Sequence, residues 1–214
     1  MALEIIKVCG ITRVEDALLA AREGATAIGL NFYPGSPRYL DFGRGAMIGA
    51  VAPHNILKVG IFVDETSDRI RDTARAVRLD VVQLHGAESP FDCEALAPLR
   101  VWKAFHVGED FDPRQLAGYS CEAFLLDAAG EDGARGGTGR AFPWSVAREA
   151  ARYGKIIVAG GLDADNVADA IRAAGPWGVD ASSRLELSPG VKDPIKVREF
   201  LWAAKKHAGR EGNA

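Results

Sequence analysis

Short apolar runs rich in β-branched residues recur along the chain at 5–8, 27–30, 58–63, 81–84, 101–105, 123–126, 155–159 and 177–179. Most are apolar at odd and even positions alike, whereas a strand with one wet face would alternate. That is the pattern of parallel strands covered on both faces. Helical periodicity fills the gaps. Residues 14–22 place Val14, Ala17, Leu18 and Ala21 at i, i+3, i+4, i+7. Ile70, Ala74 and Val77 mark a helix over 67–77, Val167, Ala170 and Ile171 one over 163–173, and Val197, Phe200, Leu201 and Ala204 one over 193–204. Residues 89–96 open on Ser89 as a cap, with Pro90 at the first helical position and acidic residues in the first turn. The stretch after Leu40 is weaker and 111–119 is the poorest.

Strand–helix alternation of this kind builds a parallel sheet with crossover helices. A closed barrel and an open doubly wound sheet both fit. Eight units is the barrel's number, and no G-x-G-x-x-G follows the first strand. The predicted fold is α/β, a single-domain (βα)8 TIM barrel over residues 1–207, with a polar, frayed tail over 208–214.

Composition narrows the function. The chain has 214 residues, 48% apolar and 26% charged, with a formal charge of −3. At this size roughly 70% of the unfolded surface can be buried, enough for one core. There is no basic excess to draw nucleic acid or an anionic membrane, and no run of about 18 apolar residues to span a bilayer. Cys9, Cys93 and Cys121 are odd in number and form no C-x-x-C pair, which argues against a disulfide framework. A soluble, cytoplasmic setting is expected. His54, His85, His106 and His207 have no metal-ligand spacing, so no metal is expected.

Barrel chemistry sits where strands run out at their C-terminal ends. Those ends carry Lys7 and Cys9, Asn31, Asp64, His85, His106, Asp127, Gly160 and Gly161, and Asp180, Ser182 and Ser183. Cys9 is either a small buried hydrophobe or a thiolate base or nucleophile. As a thiolate it needs help, because an unperturbed thiol is mostly protonated at neutral pH. Lys7 shares its strand face and would lower the thiol's pKa. Asp127 is either a cap in the loop that follows or an acid held protonated by apolar neighbours. Strand eight neighbours strand one in a closed barrel, which makes a Lys7–Asp180 ion pair possible; otherwise each side chain reaches solvent. The turns at Gly160–Gly161 and Ser182–Ser183 are either tight turns or a phosphate cradle of backbone N–H groups. Arg38, in a loop stiffened by prolines and aromatics, has a guanidinium fork suited to a carboxylate. The glycine-rich stretch 130–139 lacks Walker A spacing.

With these residues in view, the chain resembles the phosphoribosylanthranilate isomerases of tryptophan biosynthesis. The resembling blocks are KVCGIT (7–12), NFYPGSPRY (31–39), QLHG (83–86), LD (126–127), GGTG (136–139) with Phe142 and Trp144, AGGL (159–162) and residues 180–193. They run through nearly the whole chain. The resemblance implies an Amadori rearrangement of N-(5′-phosphoribosyl)anthranilate without a cofactor. By motif position it implies Cys9 as general base and Asp127 as general acid. It further implies Arg38 on the anthranilate carboxylate and Gly160, Gly161, Ser182 and Ser183 on the phosphate; His85 is a candidate substrate contact that either touches substrate or only packs. The only expected partner is a small phosphoribosyl substrate, and family members occur as monomers or homodimers. Two departures stand out. Arg184 occupies a position where glycine is common, and Pro143 one where aspartate is common. Arg184 either adds charge near the phosphate or points to solvent. Three competing readings are a histidine-pathway aldose–ketose isomerase, a non-catalytic sugar-phosphate sensor, and a Cys9/His85 hydrolase. The first would use two aspartates rather than Cys9, intact Cys9 and Asp127 disfavour the second, and nothing in the sequence supplies an oxyanion site for the third.

Overall fold

Each apolar run buries both of its faces, and all of them do so in one closed sheet. A computed structural model describes residues 3–128 and 143–208. Its parallel strands pair in chain order: β1 (Ile5–Val8), β2 (Ala27–Asn31), β3 (Leu57–Phe62), β4 (Val81–Leu84), β5 (Val101–Val107), β6 (Ala123–Ala128), β7 (Ile156–Val158) and β8 (Gly178–Ala181). β8 returns to β1 with Lys7 opposite Asp180. The expected (βα)8 barrel is the fold. Its helices are α1 (Val14–Arg22), α2 (Phe42–Val51), α3 (Ser67–Val77), α4 (Pro90–Glu94), α5 (Trp144–Ala150), α6 (Val167–Ala174) and α7 (Pro194–Ala208).

The departures from the sequence pattern have local causes. β5 and β6 run two residues past their apolar parts, so His106 and Asp127 lie opposite each other inside the ladder. Backbone pairing continues whatever the side chain's polarity. α6 starts at Val167 rather than 163 because Asp163 and Asn166 bond to the backbone first. The Asp163 N–H donates to Asn166 Oδ1 at 3.0 Å, and the Asp165 N–H to Asp163 Oδ1 at 3.0 Å. α4 has the Ser89–Asp92 capping box and stops at Glu94, short of Pro98, whose presence disfavours helix before it. The weak segment near residue 111 forms a 3-10 turn over Pro113–Gly118. α5 escaped the periodicity because it spans only seven residues, with alanine as its buried contact. Also unexpected is a small hairpin of β9 (Glu186–Ser188) and β10 (Val191–Lys192). The glycine-rich stretch 130–139, Phe142 and residues 209–214 lie outside the described residues.

Apolar side chains fill the lower part of the barrel. Trp102 and Trp177 meet edge to face with centroids 5.8 Å apart, packed with Ile5, Val59, Leu125 and Ile157. A second core lies between sheet and helices and includes Val8, Leu30, Leu126, Val158 and Phe200. Above the tryptophans the interior turns polar. Lys7, Gln83 and Asp180 are all buried there, directly beneath the strand ends that carry the candidate chemistry.

Candidate active site

Alternation along a strand sends every second side chain into the barrel. Lys7 and Cys9 on β1 and its extension, Gln83 and His85 on β4 and its extension, and Asp127 and Asp180 all point inward by this rule. A cavity of about 650 Å³ opens above them at the C-terminal ends of the strands. Every site residue expected from the sequence lines it: Cys9, Arg38, His85, Asp127, Gly160, Gly161, Ser182 and Ser183. Arg184 lines it too, half-exposed, with Nη1 3.8 Å from Asp163 Oδ2. Of the other strand-end candidates, Asp64 is not in the cavity lining. It braces a loop, accepting the Ala87 N–H.

The Lys7–Asp180 pair forms as the barrel topology allows, at 2.8 Å, with Lys7 wholly buried. Lys7 Nζ also donates to Gln83 Oε1 at 3.0 Å. Burial works against the ammonium, but Asp180 and Cys9 outweigh it and hold Lys7 above the ordinary lysine range. Burial pushes the Asp180 carboxyl up, and the attraction of Lys7 offsets this only in part.

Cys9 departs from expectation. Burial raises its thiol pKa most, Asp180 raises it further, and Lys7 and Lys192 lower it without prevailing. The ammonium neighbour acts in the expected direction, yet the net shift is upward. At rest Cys9 is therefore a thiol. Space for its sulfur depends on Gly29 of β2, where a Cβ would stand 2.6 Å from Sγ.

Arg38 is held from behind. Its Nε and Nη2 donate to the two carboxylate oxygens of Glu186 at 2.9 and 2.8 Å, leaving the outer edge of the fork for another acceptor. The β9–β10 hairpin brings Lys192 under the same carboxylate, with Nζ donating to Glu186 Oε1 at 2.8 Å. Burial pushes Glu186 up, but the two cations together hold it below the ordinary carboxylate range. The loop bearing Arg38 is braced by Asn31, whose Oδ1 accepts the Tyr33 N–H at 2.9 Å and whose Nδ2 donates to Ser36 Oγ at 3.1 Å.

Asp127 is buried at the end of β6, with Oδ2 3.5 Å from His85 Nε2. On its other side Gly160, at φ +85°, comes so close that a Cβ there would stand 3.0 Å from Asp127 Oδ1 and 2.6 Å from the Ala128 nitrogen. Only glycine tolerates both the angle and the contact. The turn at Gly160–Gly161 is thus pressed against the carboxyl group.

His85, His106 and Asp127 each offer an atom within 4.8 Å of the others, the cluster closest to a metal-ligand set among the described residues. Hydrogen bonding argues against that use. Lys7 has only donors, so Gln83 must turn Oε1 to it and its amide nitrogen to His85 Nδ1, 2.9 Å away. His85 Nδ1 then accepts, and the ring proton sits on Nε2, facing Asp127. A metal needs a lone pair there.

Sequence reasoning assigned no site role to Gln83, Glu186, Lys192 or Gly29. Gln83 left a signal, a polar residue at an inward position of an apolar strand. Glu186 and Lys192 depend on a hairpin that brings them together, and Gly29 on β2 lying beside β1.

The arrangement offers a thiol, a carboxyl group, a cationic fork and a backbone-lined turn around one cavity. Among known proteins, the family model for N-(5′phosphoribosyl)anthranilate (PRA) isomerase matches residues 6–203. An N-(5′-phosphoribosyl)anthranilate isomerase of Pelobacter propionicus is 46% identical, covering 94% of this chain and 95% of its own. The crystal structure of the phosphoribosyl anthranilate isomerase of Thermotoga maritima superposes with a TM-score of 0.88 at 37% identity, covering 94% of this chain and 98% of that one. A phosphoribosyl anthranilate isomerase in complex with reduced 1-(o-carboxyphenylamino)-1-deoxyribulose 5-phosphate gives a TM-score of 0.85 at 35% identity over the same shares.

Proposed function

The chain belongs to the N-(5′-phosphoribosyl)anthranilate isomerase family, and on that premise we propose how its cavity carries out the family's reaction. The chain is an isomerase of tryptophan biosynthesis. It converts N-(5′-phosphoribosyl)anthranilate to 1-(2-carboxyphenylamino)-1-deoxyribulose 5-phosphate.

Asp127 is the general acid. It gives its proton to the ribose ring oxygen as the C1′–O bond breaks, and the anilino nitrogen's lone pair forms a C=N bond. The iminium so made acidifies the proton on C2′. Cys9 is the general base that removes it, and the electrons left behind neutralise the iminium as an enolamine. Transfer of the enol proton and protonation of C1′ then give the ketose. Each proton-transfer group contributes typically about 10²–10⁴-fold.

A resting thiol suits this order. Lys7 and Lys192 already favour the thiolate, and the cationic iminium adds a third positive charge at the moment the base is needed. Arg38, held by Glu186, offers the outer edge of its fork to the anthranilate carboxylate. The turns at Gly160–Gly161 and Ser182–Ser183 receive the phosphate on backbone N–H groups, with Arg184 on their rim. His85 lines the substrate site beside Asp127. The observation that carries this reading is that Cys9 and Asp127, on strands three steps apart around the barrel, open into one cavity bounded by both turns and by Arg38.

The chain acts as a monomer or homodimer on a soluble phosphate ester, and a cytoplasmic place fits that substrate. None of the helices in the described residues is long and apolar enough to cross a membrane. The test is to follow the fluorescence of freshly generated N-(5′-phosphoribosyl)anthranilate on adding the chain. A rapid, saturable fall is expected. A folded protein that leaves the signal unchanged would overturn the assignment.

A further inference from the structure

Among the described residues, two buried polar atoms of the cavity lining, His85 Nε2 and Asp180 Oδ1, make no hydrogen bond, and the first of them faces the candidate acid. Asp127 Oδ2 lies 3.5 Å from His85 Nε2. Buried donors are rarely left unmade, so such an atom calls for an explanation. The explanation begins two residues away. Asp180 fixes Lys7, Lys7 fixes which end of the Gln83 amide faces it, and the amide's other end fixes His85 Nδ1 as an acceptor. Polarity therefore runs one way through the barrel interior, from the ammonium to the imidazole, and emerges as an N–H aimed at Asp127.

We propose that Gln83 is a positioning residue of the isomerase reaction, which holds His85 in the Nε2–H form so that Asp127 carries its transferable proton on Oδ1. The proposal rests on the reading of Asp127 as the general acid. With an N–H on its Oδ2 side, the carboxyl proton belongs on Oδ1, the oxygen pressed against the Gly160 turn. Once that proton has moved to the substrate, the same N–H stabilises the carboxylate that remains. The apo separation of 3.5 Å leaves this bond to tighten when substrate fills the cavity. Were Gln83 to present an acceptor to Nδ1 instead, the ring proton would move to Nδ1. Nε2 would then turn a lone pair to Asp127, and the two groups would compete for the proton meant for the ring oxygen.

Gln83→Glu makes that reversal with almost no change of shape. Its carboxylate can accept from both Lys7 and His85. The experiment combines ¹⁵N NMR of histidine-labelled protein, which distinguishes a protonated from an unprotonated ring nitrogen, with steady-state kinetics. Wild type is expected to show His85 protonated on Nε2. Gln83→Glu is expected to show it on Nδ1, with kcat lowered about 10- to 100-fold, the effect of one charge-assisted hydrogen bond, and KM within about threefold. Gln83→Met, which lacks any polar end, should populate both ring forms and lie between the two in kcat. Wild-type His85 protonated on Nδ1 would overturn the proposal, as would a reversed ring with undiminished kcat. Should Gln83→Glu not fold, the wild-type spectrum and Gln83→Met decide the matter. Asp127→Asn run alongside separates the two readings. If it keeps full activity, the acid assignment fails. If it is inactive while Gln83→Glu, with its ring reversed, keeps the wild-type kcat, only the positioning role fails.

Discussion

Cys9 sits between opposed influences, and the balance among them makes its rate behaviour predictable. Because burial holds the thiol above its ordinary value, the thiolate fraction at neutral pH is small and grows about tenfold per pH unit below the pKa. kcat/KM should accordingly rise with pH on its alkaline side. Lys7→Met removes an influence that lowers the thiol and leaves Asp180, which raises it, opposed by Lys192 alone. That rise should move to higher pH, and thiolate absorbance referenced to Cys9→Ser should report the same shift. An unmoved profile would show that the ammonium does not act on the thiol. The same substitution strands a buried carboxylate, for which a loss of about 3–5 kcal/mol in stability is expected. Glu186 gives a pH prediction of opposite sense. Its folded value lies below its unfolded one. Its contribution to stability is therefore present above about pH 4.3 and is lost as pH falls through the lowered value. Melting temperatures of wild type and Glu186→Gln should differ at neutral pH and converge in acid; a constant gap would remove Glu186 as the cause.

Among the elements, β2 shows how a strand serves chemistry it does not carry. Gly29 leaves the room that Cys9 Sγ occupies. Gly29→Ala should cost about 1–3 kcal/mol by overpacking and lower kcat by displacing the sulfur. An alanine variant with unchanged kcat would show that the thiol's place is not set by β2. The helices and strands were legible where one face was consistently apolar, as in α1 and α3, whose ranges match the periodicity residue for residue. They were obscured where side chains compete for the backbone, as Asp163 and Asn166 do before α6. Cys9 and Asp127 stood out as polar residues ending apolar runs. Glu186 and Lys192 did not, because their meaning comes from a hairpin that folds one under the other, and local pattern contains nothing of that meeting.

The whole molecule divides its work along the barrel axis. Packed tryptophans close one end, a buried polar layer crosses the middle, and the cavity occupies the other end. That separation predicts that the ends can be altered independently. Trp102→Ala should destabilise by about 3–5 kcal/mol while leaving kcat unchanged at temperatures where the variant stays folded, as denaturant titration and turnover together would show. The barrel itself was legible because eight doubly covered strands admit few other arrangements. The ion pair across the β8–β1 seam could then be anticipated, but the link from Lys7 through Gln83 to His85 could not, since it depends on three side chains meeting across the interior. The proposed reaction requires one cavity to place a base at Cys9 and an acid at Asp127. The most direct test compares Cys9→Ser and Asp127→Asn with wild type for kcat and for affinity towards reduced 1-(o-carboxyphenylamino)-1-deoxyribulose 5-phosphate. Each variant should lose at least about 10²-fold in kcat while binding the analogue within a few-fold of wild type. Near-wild-type turnover in either variant would contradict the claim.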